Sequence, residues 1–327
     1  MLGRKPGTEP PDHSGKFPVL WGLFGEGLGV ARCELLACMR DEVLSTLEGL
    51  GLVNSMGDRL APAYRLVLHL GLWLFCDKVT SAAKFYYGND SIELSHVLEG
   101  AQGNVLDLCS GVGTQALVCA RTAARVTAVE IEPLAAKLFW VNAAMNGLTD
   151  KLELLNGDFL APVAGRQFDV ISCNPPFMPV PPGVRYPRFA DGGGDGLELV
   201  RRLMVGLPET LAPDGRCEVV GAVLGNRERP DFVAFKKMAA DSSLAIIIDC
   251  RTCEELEGRT LKQLVDIAIK GDSEEEDVER AFRNHFANLG ATHLYCFLLH
   301  AVRAPSPMLC ASYFDGPNKV FWMEPFS

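Results

Sequence analysis

The 327-residue chain has no apolar run long enough to cross a bilayer. Its longest, Leu66 to Phe75, is interrupted by His69 and Gly71 and falls short of the roughly 20 residues a spanning helix needs. No secretory leader is expected either. The chain starts Met-Leu-Gly-Arg-Lys-Pro-Gly-Thr-Glu-Pro-Pro-Asp, so export is not expected. The eleven cysteines are scattered and odd in number, which argues against a disulfide framework and for a reducing compartment, expected to be the cytoplasm. Positive charge is in deficit. Lys and Arg total 31 against 41 Asp and Glu, a net charge of −10 at pH 7. As a whole such a chain is repelled by nucleic-acid phosphates and anionic lipid, although a local patch can still bind them. What is present, 48% hydrophobic and 22% charged residues, matches an ordinary globular chain and excludes a disordered, collagenous or coiled-coil one.

Residues 1–16 are rich in Pro, Gly and charge and read as a flexible tail. Between Val30 and Val53 the residues Leu35, Leu36, Met39, Val43, Leu44, Leu47 and Leu50 recur at helical spacing, until Gly49 and Gly51 break the pattern. The turn Asn54-Ser-Met-Gly-Asp-Arg59 and the apolar piece Tyr64 to Phe75 follow. Residues 17–90 are therefore expected to form a small helical or winged-helix-like module. Its would-be recognition helix carries few basic residues, so it reads better as a substrate-side cap or homodimer surface than as a DNA-binding unit.

From Asn104 the pattern changes to short apolar runs alternating with helical ones, the mark of βαβ units. Strands are expected at 105–108, 125–131, 151–155, 168–173, 216–223 and 244–248. Helices are expected at 114–124, 133–146, 196–211, 229–242 and 274–288. A seventh strand, 293–302, should pair hairpin-fashion with the sixth. Residues 91–327 thus read as one α/β domain on a mostly parallel seven-stranded sheet whose last strand is antiparallel.

Four features fall at the ends of successive strands, where open α/β sheets bind ligands. The first is Asp107-Leu-Cys-Ser-Gly111-Val-Gly113. Its glycines let a ligand approach the strand-to-helix turn. It lacks the Lys-Ser/Thr of a phosphate-binding P-loop, and Asp107 suits the ammonium of an amino-acid-like ligand better than a pyrophosphate. The second is Glu130, which can accept both hydroxyls of a ribose; an NAD site fits these two signals almost as well. The third is Asn156-Gly-Asp158-Phe159: Asp158 can accept from an adenine amine, with Phe159 against the ring. The fourth, Asn174-Pro-Pro-Phe177, is decisive. Two prolines remove backbone donors and leave the Asn174 side-chain oxygen and the Pro175 carbonyl as paired acceptors for an NH2 group. Phe177 adds a flat face for a conjugated or cationic group.

These residues resemble the class I S-adenosylmethionine (SAM) dependent methyltransferases over about residues 85 to 225. Within them the chain is similar to the N-methyltransferases with an Asn-Pro-Pro-aromatic tetrad, above all the release-factor glutamine methyltransferase type. Arg185-Tyr-Pro-Arg-Phe-Ala-Asp-Gly-Gly-Gly-Asp-Gly-Leu197 and Tyr87-Gly-Asn-Asp-Ser91 extend the likeness. The resemblance implies a Rossmann-like methyltransferase fold with SAM as cofactor. It places Asp107, Cys109, Gly111, Gly113, Glu130, Ile131, Asp158, Phe159 and Asn174 at the cofactor and Asn174, Pro175 and Phe177 at the reacting group. Tyr87, Asp90 and Ser91 would line the entrance. Asp90 and Asp195 are candidate bases or loop stabilisers. Arg185 and Arg188 are candidate holders of a substrate carboxylate or ordinary lid charges.

Two departures count. The tetrad ends in Phe177 where glutamine-methylating enzymes usually carry Tyr, and the chain runs about a hundred residues past its fifth strand. Both favour an amine or amide acceptor on a small metabolite, amino acid or peptide. The rival of another reaction class is a non-methylating SAM lyase or cyclase, for example one closing SAM to azetidine-2-carboxylate. Methylation of a protein glutamine or of a nucleic-acid base is a further alternative, the base being disfavoured by the net charge. No metal site is expected. Cys250-Arg-Thr-Cys253 lacks a second pair, and His69, His96, His285, His293 and His300 show no ligand spacing. Cys109 is expected to pack, and Phe139 and Trp140 to serve as core.

Overall fold

Runs of Val, Leu and Ile bounded by turns build the sheet of the larger unit. The computed structural model describes residues 16–77, 85–269, 274–315 and 318–324, so all but the last residue of the expected tail lies outside the described residues. The strands along the sheet's main path are β1 (Asn104–Leu108), β2 (Arg125–Glu130), β3 (Leu152–Asn156), β4 (Phe168–Cys173), β5 (Leu211–Gly225), β6 (Leu244–Cys250), β7 (His293–Arg303), β8 (Met308–Asp315) and β9 (Asn318–Glu324), and a two-residue strand, Glu254–Glu255, pairs with β7 off that path. Their spatial order is β9-β8-β6-β7-β5-β4-β1-β2-β3. β3-β2-β1-β4-β5 is parallel throughout, and β7 runs antiparallel between β5 and β6.

The seven-stranded Rossmann-like arrangement is therefore present, with two corrections. β7 pairs with β5 as well as β6, and it is reached through two helices instead of a hairpin. The sheet then continues past the expected seven strands, with β8 parallel to β6 and β9 folded back on β8. Strand order reverses at β1, which lies between β2 and β4, so the carboxyl ends of β1 and β4 flank the crevice where such sheets take ligands.

The helices are α1 (Asn89–Leu98), α2 (Thr114–Ala120), α3 (Pro133–Met145), α4 (Glu198–Thr210), α5 (Val233–Ser242), α6 (Gly258–Ile267) and α7 (Glu275–Asn288). Proline at the first position and the Glu132 carboxylate on the Leu134 N–H open α3. Side chains alternate across β5. Cys217, Val219 and Val223 join a core with Leu203 and Leu207 of α4 and Phe235 of α5. Ala222 and Leu224 join a second core with Leu261 and Leu264 of α6 and Phe282 and Phe286 of α7. Both sheet faces are thus covered by helices, and β1, β2 and β4 are each buried at all but one position.

The chain divides into two compact units, residues 1–67 with 75–78, and residues 68–74 with 79–327. The smaller has helices Arg32–Cys38 and Asp41–Gly49, not one continuous helix, because Met39 adopts an extended conformation between them. Strands Val53–Met56 and Arg59–Pro62 turn at Gly57, whose φ is +68°, and Val30–Ala31 completes a three-stranded sheet. Helix Asp41–Gly49 carries Asp41, Glu42 and Glu48 and no cation. Among the described residues no helix is long and apolar enough to cross a membrane.

Candidate active site

β1 ends in Asp107, which is buried to 1% exposure. One carboxylate oxygen accepts from the Ser110 hydroxyl at 2.7 Å and the Ala116 N–H at 3.1 Å, and the other accepts from Ser172 on β4. Burial pushes its carboxyl up to about 6, against the pull of those bonds. All three partners belong to the protein. Asp107 therefore ties β1, its glycine loop, α2 and β4 together, where the sequence suggested a carboxylate open to an ammonium. Ser110 and Ser172 escaped the sequence reading; their only signal is a hydroxyl beside the loop and another at a strand end.

The glycine loop follows from its backbone. Gly111 has φ +54°, and a Cβ there would meet nothing within 4 Å, so open space lies above it. Gly113 has φ +89° and caps α2; a Cβ would come within 2.7 Å of the Phe139 ring. Cys109 also takes a left-handed φ of +56° and packs against the core beside Cys173. The loop is held from α3 by Asn142, whose amide donates to the Val112 carbonyl at 3.0 Å.

Glu130 ends β2 with one oxygen accepting the Gly111 N–H at 2.7 Å and the other the Glu132 N–H at 2.8 Å. A carboxylate has about four lone-pair sites, so two remain for other donors. Ile131 beside it is 41% exposed. Trp140, expected in the core, is 40% exposed, whereas Phe139 is fully buried.

At the end of β3, Asp158 is paired with Arg202 of α4 at 2.9 Å. Phe159 is not an open stacking face: it is buried in the core at φ +54°, and the Arg202 guanidinium lies 5.2 Å from its ring centre. Sequence spacing gave no sign of Arg202, because α4 reaches β3 only through the fold.

β4 delivers the tetrad. The Asn174 amide nitrogen donates to Asp90 at 2.9 Å and to the Ser91 hydroxyl at 3.2 Å, both on α1. Burial raises the Asp90 carboxyl above its usual range, opposed by hydrogen bonds from Asn174 and the Tyr86 hydroxyl. Pro175 is buried and Phe177 half-buried. The tetrad loop is braced by the glycine-rich segment after it: Met178 N–H donates to the Ala190 carbonyl, Gly192 N–H to Met178 and Val180 N–H to Gly193, at 2.9–3.0 Å. A Cβ on Gly192 would lie 2.6 Å from Phe177 Cα, and one on Gly196 2.5 Å from the Phe177 carbonyl oxygen. Those glycines are demanded by close approach of two backbones.

The other expected residues are placed differently. Asp195 caps the Leu197 N–H and is paired with Arg201, which holds its carboxyl below the usual range, so it is a loop stabiliser and a poor base. The Tyr87 hydroxyl lies 3.0 Å from His69 Nδ1. Arg185 and Arg188 are exposed, and among the described residues neither forms an ion pair. The region after β6 takes part: Tyr186 donates to the Leu264 carbonyl at 3.1 Å, Ile269 N–H to Arg185 at 2.9 Å, and His285 Nε2 lies 2.6 Å from the Gly194 oxygen. α6 and α7 thus seat the loop that follows the tetrad. Among the described residues no cluster of His, Cys, Asp and Glu is arranged to hold a metal ion.

A family model described as the methyltransferase small domain matches residues 79–228. The release factor glutamine methyltransferase of Moorella thermoacetica is 34% identical over 210 residues, 59% of this chain and 74% of that protein. The ribosomal protein uL3 glutamine methyltransferase of Bradyrhizobium diazoefficiens is 39% identical over 127 residues, 35% of this chain. That second match spans only 40% of the relative's length. Among solved structures, the ribosomal protein L11 methylase from Lactobacillus delbrueckii subsp. bulgaricus is 16% identical, with a TM-score of 0.40 over 67% of this chain and 81% of that one.

Proposed function

The chain belongs to the class I SAM-dependent methyltransferases of the release-factor glutamine methyltransferase group, and from that premise we propose that it methylates the side-chain amide nitrogen of a glutamine in a protein. The relatives are named for release-factor and ribosomal-protein glutamines, which supports a peptide-borne acceptor. The small-metabolite acceptor suggested by the sequence has no counterpart in those names.

The residues fit the cofactor of the family. The space over Gly111, the Glu130 carboxylate with lone pairs to spare and the exposed Ile131 make a cradle at the ends of β1 and β2. Glu130 would hold the ribose hydroxyls and Ile131 an apolar face of the nucleoside. Asp158 is available to an adenine amine once it leaves Arg202. SAM, when bound there, supplies a methyl group carried on a sulfonium.

The observation that carries the reading is the anchoring of Asn174. Its donor bonds to Asp90 and Ser91 both run from the amide nitrogen to α1, which assigns Oδ1 as the acceptor. An amide nitrogen is a weak nucleophile because its lone pair is delocalised into the carbonyl. Accepting its N–H bonds at Asn174 Oδ1 and the Pro175 carbonyl would orient the nitrogen and raise its electron density. The remaining contribution is positioning, which removes translational and rotational freedom before reaction. Phe177 presents an apolar ring that keeps water from the group.

Incubation of the full chain with isotopically labelled SAM and glutamine-containing peptides, followed by mass spectrometry, tests this. A labelled methyl group on glutamine is expected. Label on a free metabolite, or methylthioadenosine released without any acceptor, would refute the glutamine reading.

A further inference from the structure

Asp90 is the meeting point of three segments far apart in sequence. Its carboxylate accepts from Asn174 beyond β4, and the Tyr86 hydroxyl lies against Gly88, the residue that opens α1, where it bears on the Asp90 charge. The Tyr86 ring in turn lies parallel to Phe189 of the loop after the tetrad, with centroids 6.3 Å apart and planes within 5°. Tyr86 is nevertheless 45% exposed, so part of its surface remains open to a ligand. Its phenol is shifted upward by burial and by the Asp90 charge, and stays a donor. The tetrad itself ends in Phe177 and has no hydroxyl to offer.

We propose that Tyr86 and Asp90 form a positioning pair for the acceptor amide, Asp90 fixing the Asn174 side chain with its oxygen outward and Tyr86 supplying from another element the phenol that Phe177 lacks. The logic is one of satisfiability. An asparagine amide that is free to flip presents nitrogen or oxygen to its surroundings, and only oxygen can accept from an NH2 group. A carboxylate can accept but not donate when ionised, so Asp90 permits a single orientation of Asn174. Ser91 alone would not, because a hydroxyl donates as readily as it accepts. The stack on Phe189 fixes the ring that carries the phenol.

The inference rests on the glutamine reading, and the test separates the two. Wild type, Asp90→Ala, Asp90→Asn and Tyr86→Phe are compared for kcat and KM on a glutamine-containing peptide and for calorimetric SAM affinity. The 15N resonance of the Asn174 side-chain amide is followed in protein without cofactor. Asp90→Ala is expected to lower kcat about a hundredfold, the scale of a small misplacement of a reacting group, with SAM affinity unchanged and the Asn174 resonance moved. Asp90→Asn, which keeps one accepting oxygen, recovers part of both. Tyr86→Phe keeps the stack and loses about tenfold in kcat, the scale of one charge-assisted hydrogen bond, with KM unchanged. If the wild type is active and Asp90→Ala keeps pace with it, or loses SAM affinity and activity together, the pair is not a positioning device. An unmoved Asn174 resonance has the same meaning. If the wild type methylates no glutamine, the acceptor reading falls and the role of the pair falls with it.

Discussion

The Gly111 N–H donates to the Glu130 carboxylate at 2.7 Å, joining the turn after β1 to the end of β2 across 19 positions of sequence. The bond sets where the glycine loop lies before any nucleoside arrives. Glu130 therefore holds the loop, and on the proposed reading its remaining lone pairs would meet the ligand.

Glu130→Gln should weaken SAM binding by about tenfold to a hundredfold, the loss of one or two charge-assisted hydrogen bonds. Titration calorimetry reads it directly. Unchanged affinity would remove Glu130 from the nucleoside site.

Asn174→Ala should leave SAM affinity near that of the wild type and cut turnover about a hundredfold or more, as for other groups that polarise a reacting carbonyl or amide. Near-normal turnover would mean that the amide is gripped elsewhere.

Gly113→Ala and Gly192→Ala should separate the two halves of the site. At Gly113 a Cβ meets Phe139 at 2.7 Å and the backbone has φ +89°, so the variant strains the cofactor loop. The cost should be about 1–3 kcal/mol in denaturant unfolding, with weaker SAM binding. At Gly192 the Cβ meets the Phe177 backbone at 2.6 Å, so turnover should fall while SAM affinity holds. Equal effects of both variants on SAM affinity would contradict this separation.

Asp107 gives stability a definite pH dependence. Its carboxyl is pushed up to about 6 by burial from an unperturbed 3.8. Between those values the folded chain keeps a proton that the unfolded chain has lost, so stability falls as pH rises from about 4 to about 6. The contribution is roughly 3 kcal/mol at about 1.4 kcal/mol per pH unit. Relative to Asp107→Asn, wild-type unfolding free energy should decline over that window and then level off. Parallel profiles for the two proteins would show that burial does not raise this group.

Periodicity located β1 to β7 because a strand covered on both faces leaves an apolar run, and it placed Asp107, Glu130, Asp158 and Asn174 at strand ends. What it could not show is which partners those ends would find. Arg202 on Asp158 and Asp90 on Asn174 are separated by 44 and 84 positions, and neither spacing has a local period. The same limit hid β8 and β9, whose pairing depends on β6 having a free edge. It also hid the burial of Phe159, where a left-handed backbone turns the ring inward.

The loop that follows the tetrad is gripped by Leu264, Ile269 and His285, all contributed by chain that follows β6. The Gly111–Glu130 bond lies wholly ahead of β3. On the proposed reading, the chain after β6 shapes the acceptor side and the first two strands shape the nucleoside side. Recombining residues 251–292 with those of a relative should change which proteins are modified while leaving the methyl-donating apparatus in working order.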